Sequence, residues 1–295
     1  QTRNFQMTTD KQDGFQSVLI TGASGFLGRN LSSRLSHSER YKLILINREN
    51  HFDLSANGWT DKIPTAQVDI IVHLAQSNRF REFPEGAEDI FKVNMASTFE
   101  LLEWARNHGV KRFIFASTGN VYKEQQDKST ELSDCDPESF YAVSKYCAEK
   151  LIESYANVFE VINARIFGLY GPGQKDNLID NIIKSVQSGN EITLASGKGL
   201  FITPVFIEDA IDSFICLMNS SIPNPKLVVN LAGDETLSLH DIVFSISEVI
   251  GKSPEIKETG EDPKYLCGDN LKFKNIFGAS DFIDFDEGIR KTLNQ

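Results

Sequence analysis

Ser17-Val18-Leu19-Ile20-Thr21-Gly22-Ala23-Ser24-Gly25-Phe26-Leu27-Gly28-Arg29 is the stretch on which the fold turns. An apolar strand from Ser17 to Ile20 runs into glycines spaced Gly-x-x-Gly-x-x-Gly, and a helix opens behind them, from Arg29 through Ser36. Glycine permits a tight turn and lets the backbone approach a ligand closely, while a helix N-terminus presents unpaired N–H groups and the positive end of its dipole. A pyrophosphate requires both, so this turn predicts a dinucleotide site at the first strand-to-helix junction.

Working outward, apolar runs at Val18-Ile20, Leu43-Ile46, Val68-Leu74 and Phe113-Phe115 alternate with helical segments at Leu27-Leu35 and Asn94-Asn107. A long helix from about Ser139 to Tyr155 precedes a further strand, Val158-Arg165. Alternation of this kind predicts an α/β fold, a doubly wound parallel sheet with helices on both faces. Beyond residue 166 the texture changes: Gly168, Gly171-Pro172-Gly173, Gly197-Lys198-Gly199 and scattered prolines punctuate shorter elements, with a return to the sheet around Leu227-Leu231. The expected division is a disordered tail at 1–14 and a dinucleotide-binding domain at 15–166 with a later return near 204–232. A smaller C-terminal substrate-binding lobe takes 167–203 and 233–295.

The 295 residues are 40% hydrophobic and 24% charged, an ordinary globular composition with room for a sizeable core. A net charge of -11 argues against a general nucleic-acid or membrane-surface binder, because such proteins cluster Lys and Arg. Cys135, Cys147, Cys216 and Cys267 lie far apart with no Cys-x-x-Cys spacing, and the histidines form no ligand pair, so neither zinc nor a disulfide framework is expected. No apolar run reaches the length of a membrane span, and the cytosol is the default compartment.

Tyr141 and Lys145 stand four apart in the helix from Ser139, on one face about 40° apart at 3.6 residues per turn. An ammonium beside a phenol is expected to lower the tyrosine pKa from about 10 toward neutrality, so that the phenol can trade a proton with a carbonyl or alcohol. Thr118, at the end of the strand that begins at Arg112, would supply a further hydroxyl. Hydride-transfer chemistry needs this set, since an alcohol must lose its proton as its carbon gives up hydride. Tyr146 and Lys150 repeat the spacing, but they lie about 140° around the helix, and only one pair can face a given cleft. The surroundings of Tyr141 favour the first pair.

Those surroundings carry a family resemblance. Thr21-Gly22-x-x-Gly25-Phe26-x-Gly28, Asp69-Ile70-Ile71-Val72-His73-Leu74-Ala75, Asn94 with Leu101-Leu102-Glu103, Phe113-Ile114-Phe115-Ala116-Ser117-Thr118, Tyr141-Ala142-Val143-Ser144-Lys145 with Glu149, and Arg165-Ile166-Phe167-Gly168-Leu169-Tyr170-Gly171-Pro172-Gly173-Gln174 occur in this order. Together, over about residues 17 to 290, they resemble the extended short-chain dehydrogenase/reductases, the NAD-dependent epimerase/dehydratase group, whose nucleotide half is a Rossmann fold. The resemblance implies catalysis by Tyr141, Lys145 and Thr118, and a pyrophosphate loop of Gly22, Gly25 and Gly28 with the amides of Phe26 and Leu27. It further implies Asp53 and Leu54 beside adenine, Leu74, Ala75 and Asn94 along the adenosine half, and Phe167 behind the nicotinamide. Thr118, Asn120, Asn177 and Leu178 are the implied substrate contacts, and relatives that pair through the corresponding helices imply a homodimer.

Departures from the family pattern narrow the reaction. Its 4,6-dehydratases follow the catalytic Thr with Asp-Glu, whereas Gly119-Asn120 stands here and cannot transfer protons. Epimerisation or net reduction of a keto sugar is left. Asn47-Arg48 occupies the end of the second strand, where an acidic residue usually binds the ribose, and Arg29 follows the glycines. Guanidinium favours a 2'-phosphate, so the cofactor is NAD or NADP, with the balance somewhat toward NADP. Ile202-Thr203-Pro204 and Thr259 stand where two diphosphate-binding arginines are expected, and Gly168 replaces a substrate-binding Asn. Lys175 or Lys198 would have to substitute for the arginines. The expected partner is thus a small molecule, first a nucleotide-sugar; a non-nucleotide carbonyl compound and a non-catalytic NAD(P) sensor are the alternatives.

Overall fold

The computed structural model describes residues 15–64 and 67–294; the expected tail at 1–14 lies outside them. In chain order come β1 (Gln16–Thr21), α1 (Phe26–Ser36), β2 (Tyr41–Ile46) and β3 (Ile70–His73). Next, α2 (Ala87–Phe91), a π-helical turn (Lys92–Ala96) and α3 (Ser97–Asn107) follow one another without a break. They lead to β4 (Arg112–Thr118), α4 (Phe140–Glu153) and β5 (Glu160–Ile166). Beyond these lie α5 (Leu178–Ser188), β6 (Ile192–Ala195), β7 (Phe201–Ile202), α6 (Ile207–Asn219), β8 (Lys226–Leu231) and β9 (Leu237–Ser238). The last are α7 (Leu239–Ile250), β10 (Ile256–Thr259), β11 (Tyr265–Leu266), α8 (Leu271–Phe277) and α9 (Phe285–Leu293).

Two compact units result. One holds the described residues up to Val121 with Cys135–Arg165 and Ile211–Val229; the other holds Tyr122–Asp134, Ile166–Ala210 and the residues from Asn230 on. Residues 122–134 were expected with the nucleotide half. They belong to the second unit because Ser129 hydrogen-bonds there on both sides, its N–H to Cys267 O at 2.7 Å and its carbonyl from Asp269 N at 2.9 Å.

The first unit is built on a six-stranded sheet in the order β2-β1-β3-β4-β5-β8. β1 pairs in parallel with β2 and β3, and β3 with β4. Strand order therefore reverses between β1 and β3, and a crevice opens at such a reversal outside the C-terminal ends of the strands. The glycine turn follows β1 at that end. On one face of the sheet Leu19, Ile71, Phe113, Phe115 and Val161 pack with Leu101, Leu102 and Ala105 of α3 and Ala148 and Ile152 of α4. Their period of two along each strand is what aims alternate side chains into this core.

The sequence suggested one helix over Asn94–Asn107; the helical stretch starts at Ala87 and carries the π-turn. Such a turn inserts one residue, so the apolar phase of Ile90 and Val93 does not continue at 3.6-residue spacing into Leu101 and Leu102. Sequence periodicity cannot be followed across it. In the second unit the glycines do not mark loops alone: Gly189, Gly251 and Gly278, at φ 68°, 72° and 63°, are the left-handed C-caps of α5, α7 and α8. No helix among the described residues is long and apolar enough to cross a membrane.

Arg112 ties the sheet to α6. Its buried guanidinium donates to the carbonyls of Leu217, Met218 and Ser220 at 2.7, 3.0 and 2.8 Å, and meets Glu160 at 2.6 Å. These are carbonyls that a helix C-terminus otherwise leaves unpaired. Replacement Arg112→Ala is expected to cost about 3 kcal/mol, because several acceptors lose their donor at once. Guanidinium-chloride unfolding checks this; a loss below about 1 kcal/mol would contradict it.

Candidate active site

The turn between β1 and α1 makes a cradle by excluding side chains. Gly22 has φ +67°, and a Cβ on it would stand 2.8 Å from Ala75 N. A Cβ on Gly28 would overlap the carbonyl oxygen of Gly22. Gly25 is exposed and is the N-cap of α1, where no side chain caps the helix and no acidic residue occupies the first turn. The amides of Phe26 and Leu27 thus stand at a bare helix start, as a diphosphate requires.

A buried polar chain holds Ala75 against that turn. His73 is fully buried, and burial, with the charge of Lys145 second, pulls its pKa down to about 3, so the ring is neutral. The Thr98 hydroxyl donates to Asn94 O at 2.9 Å and so accepts from His73 Nε2–H at 2.8 Å. His73 Nδ1 is then the acceptor for the Thr21 hydroxyl at 2.6 Å, and Thr21 Oγ1 accepts Ala75 N–H at 3.2 Å. Tautomer and rotamers follow from counting protons.

Asn94, in the π-turn, continues the chain toward α4. Its Oδ1 accepts Ser77 N–H at 2.9 Å, and its Nδ2 donates to Ser144 Oγ at 2.9 Å. Ser144 donates in turn to Tyr141 O at 2.7 Å. The first turn of α4, N-capped by Ser139, is thereby fixed to the stretch after β3.

Tyr141 and Lys145 differ sharply from Tyr146 and Lys150. Lys145 is 2% exposed, with Nζ 4.4 Å from the centre of the Phe115 ring. Lys150 lies half in solvent, over the Tyr146 ring at 4.9 Å and paired with Glu153 at 3.2 Å. Tyr141 is half-buried, its ring 5.2 Å from that of Phe80 and its hydroxyl donating to Gln76 Oε1 at 3.1 Å. Loss of water raises the phenol pKa to about 12, while the Thr118 side chain acts in the opposite sense. Burial brings Lys145 down to about 7 against an opposing pull from Glu149. The expected lowering of the phenol by its lysine is therefore reversed: loss of water sets the direction, and Lys145 is itself only partly charged near pH 7.

One turn below Lys145, Glu149 is wholly buried. Arg165 grips its carboxylate from β5 at 3.0 and 2.6 Å, and Ser117 donates to it from β4. Glu149 and Arg165 stand in the sequence motifs with no role attached; the signal for Glu149 is its four-residue spacing from Lys145, which places it on the same helix face. Gln76 had no such signal.

Other candidates are more scattered. Asn120 turns back on Thr118, the last residue of β4. After β2, Asn47 Oδ1 accepts Asn50 N–H at 2.8 Å, shaping the turn, while Arg48 is exposed. Hydrogen bonds from Ser55, and more weakly Arg48, hold the Asp53 carboxyl below its usual range; Leu54 and Leu74 are half-buried. Arg29 stacks over Phe26 at 5.2 Å. In the second unit Phe167 is buried, stacked on Tyr122 at 6.0 Å and packed against Gly268. Asn177 caps α5, accepting Asp180 N–H at 2.7 Å and donating to Leu169 O at 3.2 Å, and Leu178 is exposed at its start.

The model of the NAD dependent epimerase/dehydratase family matches residues 18–232. An uncharacterized UDP-glucose epimerase of Bacillus subtilis, YtcB, is 26% identical over 94% of this chain and 96% of its own. UDP-glucuronic acid decarboxylase 1 of Xenopus tropicalis is also 26% identical, over 94% of this chain and 71% of its own. The crystal structure of UDP-glucuronic acid 4-epimerase from Bacillus cereus, in complex with UDP-glucuronic acid and NAD, superposes with a TM-score of 0.83 at 22% identity. That match covers 95% of this chain and 98% of the other.

Lys145 loses its proton near pH 7 in the folded protein and near 10.5 when unfolded. Below pH 7 both states are charged, and the folded state bears the cost of a buried ammonium, on the order of a few kcal/mol. Between those values the unfolded chain binds more protons, so this cost shrinks as pH rises. Lys145→Met is accordingly expected to raise Tm by roughly 5 °C at pH 6 and by less at pH 9. Thermal melts of the ligand-free protein check this; an equal shift at both pH values would contradict it.

Proposed function

The chain belongs to the NAD dependent epimerase/dehydratase family, and on that premise we propose that it is an NAD-dependent nucleotide-sugar epimerase. The observation that carries this reading is the contrast between the two Tyr-x-x-x-Lys pairs: one lysine is sequestered a turn from a phenol that the Thr118 side chain reaches, the other is solvated. The names of the relatives, each a UDP-sugar enzyme, support the substrate class.

The cradle of Gly22, Gly25 and Gly28 with the amides of Phe26 and Leu27 fits the pyrophosphate of NAD, with Ala75 and Asn94 alongside. Bound there, NAD supplies a hydride acceptor and donor for one sugar carbon. Tyr141 exchanges a proton with the oxygen on that carbon, and Thr118 hydrogen-bonds the same oxygen. Lys145 places a cation beside the phenol, which favours phenolate whenever the ammonium is protonated. Gly119-Asn120 offers no second acid and base, which favours reversible oxidation over elimination of water. Arg48, solvated and near Asp53, leaves NAD the proposed cofactor. In the second unit we assign the nucleotide to the start of α5 at Leu178, with the Asn177 side chain engaged in capping.

A second reading, reduction of a keto sugar or of a non-nucleotide carbonyl compound, is favoured by one observation. Where an arginine is expected, Thr203 is buried and accepts Gly268 N–H at 2.9 Å, and Pro204 packs against Gly168. No cation stands at these positions.

Pairing of two copies through the helices of the first unit is also proposed. Phe91 and Phe99 are each 50% exposed and Val143 39%, an apolar set on the helices from Ala87 to Asn107 and on α4. A second copy of the same surface would cover it. Sedimentation at micromolar concentration is expected to give a dimer and Phe99→Glu a monomer; a monomeric native protein would contradict the assignment.

With NAD and UDP-glucose or UDP-glucuronic acid, the enzyme is expected to form the 4-epimer without net reduction of NAD. Stoichiometric cofactor consumption would instead indicate the reductase. Tyr141→Phe should lower turnover by about 10² or more with NAD binding retained, and Tyr146→Phe should stay within about threefold of native. The reverse ranking would move the acid/base role to Tyr146.

A further inference from the structure

β4 ends at Thr118, and the turn beyond it folds back on the threonine hydroxyl. Asn120 N–H donates to Thr118 Oγ1 at 3.2 Å, and Asn120 Nδ2 donates to the same atom at 3.0 Å. A hydroxyl has two lone pairs and one proton. Both lone pairs are taken by donors on one residue, so the proton is the only valence Thr118 has left to offer. Thr118 itself is buried, at 6% exposure, while Asn120 is exposed.

We propose that Asn120 is a positioning residue of the reaction, holding Thr118 as an obligate hydrogen-bond donor to the oxygen on which Tyr141 acts. The inference deepens the epimerase reading above and rests on it. An oxygen passing from alcohol toward ketone and back gains from a fixed donor at every stage that carries developing negative charge, and loses if the same hydroxyl turns to accept. The effect of Thr118 on Tyr141 has the matching sign, since its side chain favours the ionised phenol. A carboxylate in place of the Asn120 amide would accept the threonine proton and take the donor away. On this argument the amide does more than lack the proton chemistry of a dehydratase: its N–H sets the direction of the neighbouring O–H.

Asn120→Asp changes the polarity of one contact at nearly constant volume. In assays of the full chain with NAD and UDP-glucose or UDP-glucuronic acid at pH 7.5, it is expected to lower kcat by about 10² with KM changed less than about threefold. Asn120→Ala, which keeps the backbone N–H, should lose only about fivefold, also in kcat. Below pH of about 4.5 the new carboxyl protonates and can donate, so the gap between Asn120→Asp and Asn120→Ala should narrow. In a Thr118→Val background the two should be equal within about threefold, because the hydroxyl through which they act is gone. Circular dichroism melts separate folding defects from these effects, and Asn120→Ala remains decisive if Asn120→Asp melts early. A loss confined to KM, Asn120→Asp no worse than Asn120→Ala in the native background, or an undiminished gap without Thr118 would each overturn the proposal. A native enzyme inactive on both sugars would overturn the epimerase reading, and this inference with it; an active one indifferent to Asn120→Asp would overturn the inference alone.

Discussion

The buried carboxylate of Glu149 is the constraint on which the first unit depends. It joins three elements at one point: α4 carries it, β5 grips it through Arg165, and β4 reaches it through Ser117. Glu149 and Arg165 are 0% and 3% exposed, so neither charge has water to fall back on, and removal of one partner from such a pair typically costs about 3–5 kcal/mol. Its position matters more than its energy. Ser117 precedes Thr118, and Glu149 lies one turn from Lys145, so a single ion pair fixes the end of β4 against the helix that bears Tyr141.

A second set of polar contacts works from the opposite side. Thr21, His73, Thr98, Asn94 and Ser144 form a buried sequence of hydrogen bonds from the glycine turn to the backbone of Tyr141. Each member has its donors and acceptors assigned by its neighbours, and a neutral His73 is essential to that count. The turn proposed to hold a dinucleotide and the helix proposed to act on its substrate are thus registered to one another through side chains rather than through the sheet alone. Such networks are stabilising only when every member is satisfied, which makes them stringent about residue identity.

Much of this was legible in the sequence. The glycine spacing after an apolar strand gave the first βα unit, because only glycine fits where Cβ atoms would strike Ala75 and Gly22. Ser139 as the start of α4 was legible because a serine there can bond Ala142 N–H. Spacing does not separate the Tyr141 pair from the Tyr146 pair, since it is identical; the two differ in the burial of Lys145 against the exposure of Lys150, and burial is a tertiary quantity. The direction of the Tyr141 shift was misjudged for a related reason: a helical neighbour is visible in sequence, while the loss of solvent around it is not. Beyond residue 166, the sequence pattern does not single out Gly189, Gly251 and Gly278, which terminate α5, α7 and α8, since composition does not reveal which side of a helix end a glycine occupies.

The π-turn at Lys92–Ala96 has a consequence for how this segment tolerates change in length. Its one surplus residue advances everything after it by roughly 100° of helical phase relative to an unbroken α-helix. Deleting a single residue there would leave regular hydrogen bonding intact, yet it would swing Leu101, Leu102 and Ala105 out of the core or carry Asn94 off Ser144. The segment can keep its inner face or its asparagine, but not both, at any other residue count.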